Sequence, residues 1–189
     1  LITYKKHAIF HASSIRLSTH NMKHIISLGA GFAGFWSAVG AARLVKQHHA
    51  SSRISITLIN KTPYLGIRPR FYESSLTNTQ LALKSYLSPL GISVRIDTAH
   101  RIDTDTQTLT LNNKAEIHYD TLIFSAGSQL MQPHIPGLKQ HAFNVDTFYE
   151  ATRLKNHISA LCNSSSNEQQ TFVICGGGFT GIETATEMV

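Results

Sequence analysis

The sequence predicts an α/β fold built around a parallel sheet, and three features indicate it. Short apolar runs alternate along the chain with stretches that suit an α-helix. A glycine turn with the spacing G-x-G-x-x-G joins the first apolar run to the first helical stretch, and a second turn with the same spacing lies near the other end. A strand, a crossover helix and a second strand form a βαβ unit, in which the two strands run parallel.

The first βαβ unit contains the segment KHIISLGAGFAG, residues 23–34. Its predicted elements are a strand, a helix and a second strand, over 25–28, 35–45 and 53–59. Gly29 allows a tight turn, Gly31 lets a pyrophosphate approach the backbone, and Gly34 lets the helix lie close to the strand. The free N–H groups and the positive dipole end of the helix favour an anion there. The pattern therefore predicts a Rossmann-like dinucleotide-binding unit.

The second strand ends at Asn60, where a dinucleotide fold normally has Asp or Glu. That acid accepts hydrogen bonds from the adenosine ribose hydroxyls. The amide oxygen of Asn60 can accept one such bond but carries no charge, which weakens discrimination of the ligand. The alternative is a strand-end Asn that only forms a turn.

Residues 61–88 are predicted to form a long irregular excursion, because prolines and aromatic residues interrupt the alternation of strand-like and helix-like stretches. A short helix is predicted within it, over 80–86. Loops of this length inside compact domains tend to be functional. Arg68 and Arg70 in this excursion could face a phosphate or a flavin edge, and Arg68 is the candidate cofactor-binding residue. The alternative for each is a solvated arginine.

The rest of the chain alternates strands and helices. The predicted strands lie over 91–96, 119–124 and 171–175, with a β-meander over 101–117 and a connector over 128–145; the strand over 119–124 is expected to be buried and parallel. A helix is predicted to begin at the capping box Thr147 to Glu150, and its apolar face contains Ala151, Leu154, Ile158 and Leu161. A last helix is predicted over 182–189. The strand over 119–124 ends in Ser125, Ala126 and Gly127. Small residues there let a ligand or a second backbone come close, and a plain tight turn is the alternative.

The second glycine turn, GGGFTG, places Gly176, Gly178 and Gly181 directly after the predicted strand over 171–175. A βαβ unit needs about 30 residues. Only 19 residues run from Thr171 to the end of the sequence. The second Rossmann unit is therefore expected to be incomplete, either because the chain is a fragment or because another polypeptide completes its sheet.

The formal net charge of +6 does not predict nucleic-acid binding. Lys5, Lys6 and Arg16 supply half of it from a segment without acids, and the rest of the chain has no basic stripe. His7, His11 and His20 lack the spacing of metal ligands, so no metal site is expected. No run is long enough for a membrane span.

The two cysteines, Cys162 and Cys175, form neither a disulfide framework nor a paired redox motif. A reducing compartment is therefore expected. The first 22 residues are rich in Ser, His and Lys and do not begin with Met. They could be a targeting leader, an extension or sequence upstream of the true start. We favour a disordered extension outside the fold, because Met22 lies immediately before the first predicted strand.

The chain has two dinucleotide loops, and between them lie a meander, the strand YDTLIFSAG, an IPG connector and a helix. This order of features resembles that of the two-dinucleotide-binding-domain flavoproteins of the pyridine nucleotide-disulfide oxidoreductase superfamily. The segments VRIDTAHRIDTDTQTLTL, IPGLKQHAFNVDTFYEATRLKNHI and GGGFTGIE most resemble type II NADH:quinone oxidoreductases and related NAD(P)H dehydrogenases. The resemblance covers residues 23–189. It implies the N-terminal part of an FAD-binding domain over 23–145 and the start of an NAD(P)H-binding domain over 146–189.

The resemblance also implies roles for individual residues. The FAD pyrophosphate is expected to contact Gly29, Gly31, Phe32, Ala33 and Gly34, and the NAD(P)H pyrophosphate is expected to contact Gly176, Gly178, Phe179, Thr180 and Gly181. The adenosine ribose is expected at Asn60 and Lys61. The adenine is expected to contact the backbone of Thr98, Ala99 and His100. Ser125, Ala126 and Gly127 stand where the family has Ala-Thr-Gly near the FAD, and the first two depart from it. Glu183 resembles a glutamate near the meeting point of flavin and nicotinamide and is the candidate catalytic residue. Its alternative role is a first-turn acid favoured by the helix dipole.

The function implied by the resemblance is hydride transfer from NAD(P)H to FAD and electron transfer to a quinone-type acceptor. The alternatives are a ferredoxin- or rubredoxin-type reductase and a non-catalytic nucleotide-binding module. The lack of a paired cysteine motif argues against the disulfide reductase branch. We further expect a cytoplasmic location at the inner face of a membrane. Peripheral membrane association through a part beyond Val189 and a homodimer are also expected.

Overall fold

The computed structural model describes residues 22–163 and 171–188. Its strands are β1 Lys23–Leu28, β2 Ile54–Asn60, β3 Tyr64–Gly66, β4 Gln80–Ala82, β5 Ile92–Ile96, β6 Ala99–Asp103, β7 Thr108–Leu111, β8 Glu116–His118 and β9 Thr121–Phe124. Its α-helices are α1 Phe32–Gln47, α2 Leu83–Leu87, α3 Leu138–His141, α4 Phe148–Cys162 and α5 Phe179–Glu187. The expectation of an extension over 1–22 falls, apart from Met22, outside the described residues.

The central sheet has the strand order β5-β2-β1-β9, and all of its neighbouring strands are parallel. The strand β2, which follows β1 in the chain, pairs with one side of β1. The strand β9, which comes after the meander, pairs with the other side of β1. Such a change of direction opens a crevice at the carboxyl ends of the strands, which is where ligands bind in open α/β sheets. The predicted α/β class with a Rossmann-like parallel sheet is confirmed.

Both faces of the sheet are covered, which explains the nearly continuous apolar runs of β1 and β2. On one face Leu58 packs with Ala38 of α1 and Leu87 of α2. On the other face Ile26 and Ile59 pack with the antiparallel sheet β6-β7-β8. The meander that the sequence predicts therefore forms the second layer over the sheet.

The helix α1 begins at Phe32, three residues before its predicted start. Gly31 is its N-cap, with φ −68° and ψ 177°, and Gly34 lies inside the first turn. The prediction treated the glycines as a turn that precedes the helix. The backbone instead enters the helix within the motif, which brings the first-turn N–H groups next to the glycine loop.

The excursion after β2 is more ordered than the sequence predicts. Its ends pair as the antiparallel strands β3 and β4, and a 3₁₀ turn lies at Arg68–Arg70. The predicted helix over 80–86 is divided, because Gln80–Ala82 pairs with β3 and only Leu83–Leu87 is helical. Tertiary pairing with β3 overrides the local preference there.

The predicted buried strand over 119–124 forms as β9, over Thr121–Phe124, parallel to β1. It is only partly buried, and the side chain of Phe124 is 68% exposed. The reason is that β9 lies at the edge of the sheet, with β1 as its neighbour. Tyr119, two residues before β9, is buried against the meander and donates its hydroxyl hydrogen to the carbonyl of Asp103.

The prediction of a strand over 171–175 is wrong for this structure. The segment forms no ladder with any described strand, and Val173 is 82% exposed. A strand is stable only when neighbouring backbone groups satisfy its N–H and C=O groups. The helix that follows does form, as α5, and starts at Phe179 instead of at residue 182.

Asp120 joins the start of β1 to the entry of β9. Its carboxylate accepts hydrogen bonds from Lys23 Nζ and from the backbone N–H of His24, each at 2.7 Å. These two bonds, the ammonium bond first, lower the pKa of the Asp120 carboxyl below its usual value of 3.8. A lowered pKa in the folded state adds stability wherever the carboxyl would be ionised in the unfolded chain.

The change Asp120→Asn is therefore expected to lower the free energy of unfolding by about 1 kcal/mol at neutral pH. The difference should be complete above about pH 4 and disappear as pH falls through the lowered pKa. Urea denaturation at several pH values measures it. The matched control is Asp105→Asn, on the exposed turn between β6 and β7, and a pH-independent loss at Asp120 would contradict the prediction.

Candidate functional site

The first glycine loop is a close contact between three backbone segments. Gly29 has a φ of +102°, and a Cβ placed on it would lie 2.2 Å from the carbonyl oxygen of Ser125. A Cβ on Gly34 would lie 1.9 Å from the carbonyl oxygen of Gly29. The loop, the segment that follows β9 and α1 therefore touch at positions where only glycine fits.

The N-terminus of α1 is open to an anion. Gly31 provides no side-chain cap, and the first turn contains no acidic residue. Helix N-termini leave backbone N–H groups without an intrahelical partner and carry a partial positive charge. Gly31, Phe32, Ala33 and Gly34, all predicted to contact a pyrophosphate, form this turn.

A cleft of ≈450 Å³ lies at the carboxyl ends of β1, β2 and β9. It is the crevice that the strand order predicts. The residues that line it are Leu28, Gly29, Ile59, Asn60, Lys61, Asp97, Thr98, Ala99, His100, Arg101, Ile102, Phe124, Ala126, Ser128 and Gln129. The structure thus brings the glycine loop together with the segments 60–61 and 98–100, which the sequence places far apart.

Asn60 and Ser125 hold the glycine loop from two sides. The amide oxygen of Asn60 accepts the N–H of Ala30 at 3.0 Å, and its amide nitrogen donates to the carbonyl of Thr62 at 2.9 Å. The hydroxyl of Ser125 donates to the carbonyl oxygens of Leu28 and Gly29, at 2.8 and 3.1 Å. The serine, which departs from the family pattern, therefore adds contacts to the loop. Gly127, with a φ of +75°, follows at the turn after β9.

Arg68 does not line the cleft. Its guanidinium forms an ion pair with Asp146 and donates to the carbonyl and hydroxyl oxygens of Ser128, both at 3.3 Å. Ser128 is a cleft residue, so Arg68 reaches the site through it. Arg70, the other arginine, pairs with Glu73 and is likewise engaged within the protein.

The charged side chains among the residues that line the cleft are two cations, Lys61 and Arg101, and one carboxylate, Asp97. The sequence prediction missed Asp97 and Arg101. Asp97 follows β5, and sequence reasoning could have found it only by knowing that the end of β5 lies next to the end of β2. That adjacency is a property of the sheet order and cannot be read from spacing along the chain.

The second glycine loop has the same backbone form as the first. Gly176 has a φ of +116°, and Gly178 caps α5 with φ −75° and ψ 170°. A Cβ on Gly181 would lie 2.1 Å from the carbonyl oxygen of Gly176. As at α1, the first turn of α5 has no side-chain cap and no acid. Phe179, in this turn beside Thr180, is 88% exposed.

Glu183 lies in the second turn of α5, so its alternative role as a first-turn acid is wrong. It is outside the lining of the cleft. The charge of Glu183, more than desolvation and the charges of Glu73 and Glu187, raises the pKa of the Tyr72 hydroxyl. A second cavity of ≈280 Å³ lies between this part of the excursion, α4 and α5.

Other kinds of site are not found in residues 22–163 and 171–188. No group of His, Cys, Asp and Glu there could hold a metal ion, and no helix there is long and apolar enough to cross a membrane. Both cysteines are exposed and free.

A parallel sheet with a glycine loop after its central strand, together with a second loop of the same form, defines a dinucleotide-binding α/β protein. The family model for pyridine nucleotide-disulphide oxidoreductases matches residues 23–189. The chain therefore belongs to that family.

Relatives and solved structures agree with this assignment. An NADH dehydrogenase-like protein of Mycobacterium tuberculosis is 34% identical over 169 residues, which cover 88% of this chain and 42% of the relative. The type II NADH:quinone oxidoreductase of Staphylococcus saprophyticus is 27% identical, over 88% of this chain and 43% of the relative. The structure of NADH:rubredoxin oxidoreductase from Clostridium acetobutylicum has a TM-score of 0.65 and 29% identity, over 88% of this chain and 41% of that one. The chain thus spans about two fifths of the length of the proteins it matches.

Proposed function

We propose that this chain is the nucleotide-binding part of an FAD-dependent NAD(P)H dehydrogenase that passes electrons to a quinone-type acceptor. The observation that carries the proposal is the pair of glycine loops with the same backbone form in one chain. One loop opens onto a cleft at the carboxyl ends of a parallel sheet. The similarity to NADH dehydrogenase-like and NADH:quinone oxidoreductase relatives supports the reaction class.

The first cleft fits an adenine dinucleotide. Glycines exclude side chains from the loop, and the first turn of α1 offers backbone N–H groups to the pyrophosphate. The positive charges of Lys61 and Arg101 on the cleft lining favour an anionic ligand. Thr98 and Ala99 would contact the adenine through their backbone, and Ala126 leaves room beside the loop. FAD, when bound, supplies the hydride and electron chemistry, while the protein positions it and shapes its electrostatics.

The second loop would hold the pyrophosphate of NAD(P)H at the N-terminus of α5, through Gly176, Gly178, Phe179, Thr180 and Gly181. Glu183 would lie on the same helix, one turn beyond the phosphates. Its carboxylate would act where nicotinamide and flavin meet, and Tyr72 is the group of the excursion on which its charge already acts.

The test is anaerobic reduction of the complete protein that contains this chain. The preparation is expected to be yellow, to lose its flavin colour on addition of NADH or NADPH, and to regain it when a short-chain quinone is added. A well-folded preparation that takes up no FAD would overturn the proposal.

A ferredoxin- or rubredoxin-type reductase is the second candidate, favoured by the similarity to NADH:rubredoxin oxidoreductase. The same reduced preparation distinguishes the two. Faster reoxidation by a small iron–sulfur protein or by rubredoxin than by the quinone would favour this second function.

A further inference from the structure

We propose that Asp97 recognises the ribose hydroxyls of the adenine nucleotide in the cleft, in place of the acid that the end of β2 lacks. The inference rests on the proposed binding of FAD to this cleft. It assigns the recognition to the neighbouring strand β5, after which Asp97 lies.

The first step is that Asn60 is committed to the protein itself. Its amide oxygen holds the N–H of Ala30, and its amide nitrogen is within 3.3 Å of the carbonyl oxygens of both Thr62 and Tyr64. These bonds fix the amide between the glycine loop and the segment after β2. Asn60 thus shapes the ribose subsite by its position, and it offers no charge to a hydroxyl.

The second step is that Asp97 lies next to this position. Its backbone N–H donates to the carbonyl oxygen of Asn60 at 2.9 Å, which continues the parallel pairing of β2 and β5. Neighbouring strands are about 4.8 Å apart. Asp97 is therefore displaced by one strand from the usual place of the acid, and it is one of the residues that line the same cleft.

The third step is that the Asp97 carboxylate has acceptor capacity left. One of its oxygens accepts the N–H of Thr98 at 2.8 Å, and the other is 3.6 Å from the Arg95 guanidinium. A carboxylate has about four lone-pair positions, so further bonds to two hydroxyls can form. Lys61 and Arg101, the cations of the cleft, have no acceptor to offer.

The experiment measures calorimetrically how apoprotein binds two probes, ADP and 2′,3′-dideoxy-ADP, which lacks both ribose hydroxyls. The wild type is expected to bind ADP about 10- to 100-fold more tightly than the dideoxy nucleotide. The change Asp97→Asn should abolish this preference and leave the affinity for dideoxy-ADP unchanged. The variant keeps an amide oxygen for the N–H of Thr98, so the local turn is preserved.

The control variant is Asp105→Asn, which removes an exposed carboxylate outside the cleft and should keep the wild-type preference. The inference would be overturned if Asp97→Asn weakened the binding of both nucleotides equally, or if it kept the wild-type preference for ADP. In either case, FAD binding by the wild type would leave the proposed function standing. A wild type that binds neither FAD nor ADP would overturn both.

Discussion

Replacing Gly34 with alanine is expected to abolish FAD binding and to lower the free energy of unfolding by about 3 kcal/mol. The added methyl group would lie 1.9 Å from the carbonyl oxygen of Gly29 and 2.3 Å from the hydroxyl of Ser125. The hydroxyl can rotate away, but the carbonyl belongs to the backbone of the loop. Relief therefore requires α1 to move away from the glycine loop, which destroys the phosphate site.

The matched control for this change is Gly40→Ala in the same helix. A Cβ on Gly40 meets no atom within 4 Å, and alanine suits a helix interior better than glycine. The control should keep FAD binding and gain about 0.5–1 kcal/mol of stability. Thermal melting and flavin titration measure both quantities, and wild-type values for Gly34→Ala would show that the loop is less tightly packed than described.

Replacing Gly181 with alanine is expected to leave the flavin bound and to slow its reduction by NADH roughly 100-fold. A Cβ there would lie 2.1 Å from the carbonyl oxygen of Gly176, so the second loop would open while the first is untouched. The complete protein serves for the measurement, by stopped-flow recording of the flavin absorbance under anaerobic conditions.

Gly177→Ala is the control for the second loop. Gly177 has open space around its Cβ position and does not have a positive φ, so alanine should be tolerated. The pair of variants separates the two loops by function. Loss of flavin from Gly181→Ala, or reduction at the wild-type rate, would contradict the assignment of this loop to NAD(P)H.

The glycine loops could be predicted from the sequence because their requirements are local. Gly29 and Gly34 are five residues apart, and their spacing reflects one turn and the start of one helix. The structure adds the reason for the strictness of that spacing, which is the contact with Ser125, the residue that follows β9 almost a hundred residues away. The same local rule found Gly176 and Gly181, although no described strand pairs with the segment before them.

The errors fall where distant parts of the chain decide the outcome. The helix predicted over 80–86 loses its first residues to pairing with β3, and β9 is half-exposed because it forms the edge of the sheet. Arg68 is not one of these errors, because its assignment to the cofactor stays a prediction, but its pairing with Asp146 is likewise a contact between residues distant in sequence. In each case the partner is too far along the chain for spacing or periodicity to reveal it.

The sequence by itself determined the α/β class and the two glycine loops, because periodicity and glycine geometry are short-range properties. The segment 98–100 beside the first cleft was indicated by the resemblance to a family. Only the tertiary structure decided which side chains share that cleft. The parallel pairing of β2 with β5 brings Asp97 beside Asn60. The N–H of Ala30 in the loop donates to the amide oxygen of Asn60, the side chain that the sequence assigned to a ribose. Strand order is set by packing on both faces of the sheet, and that packing joins residues remote in sequence.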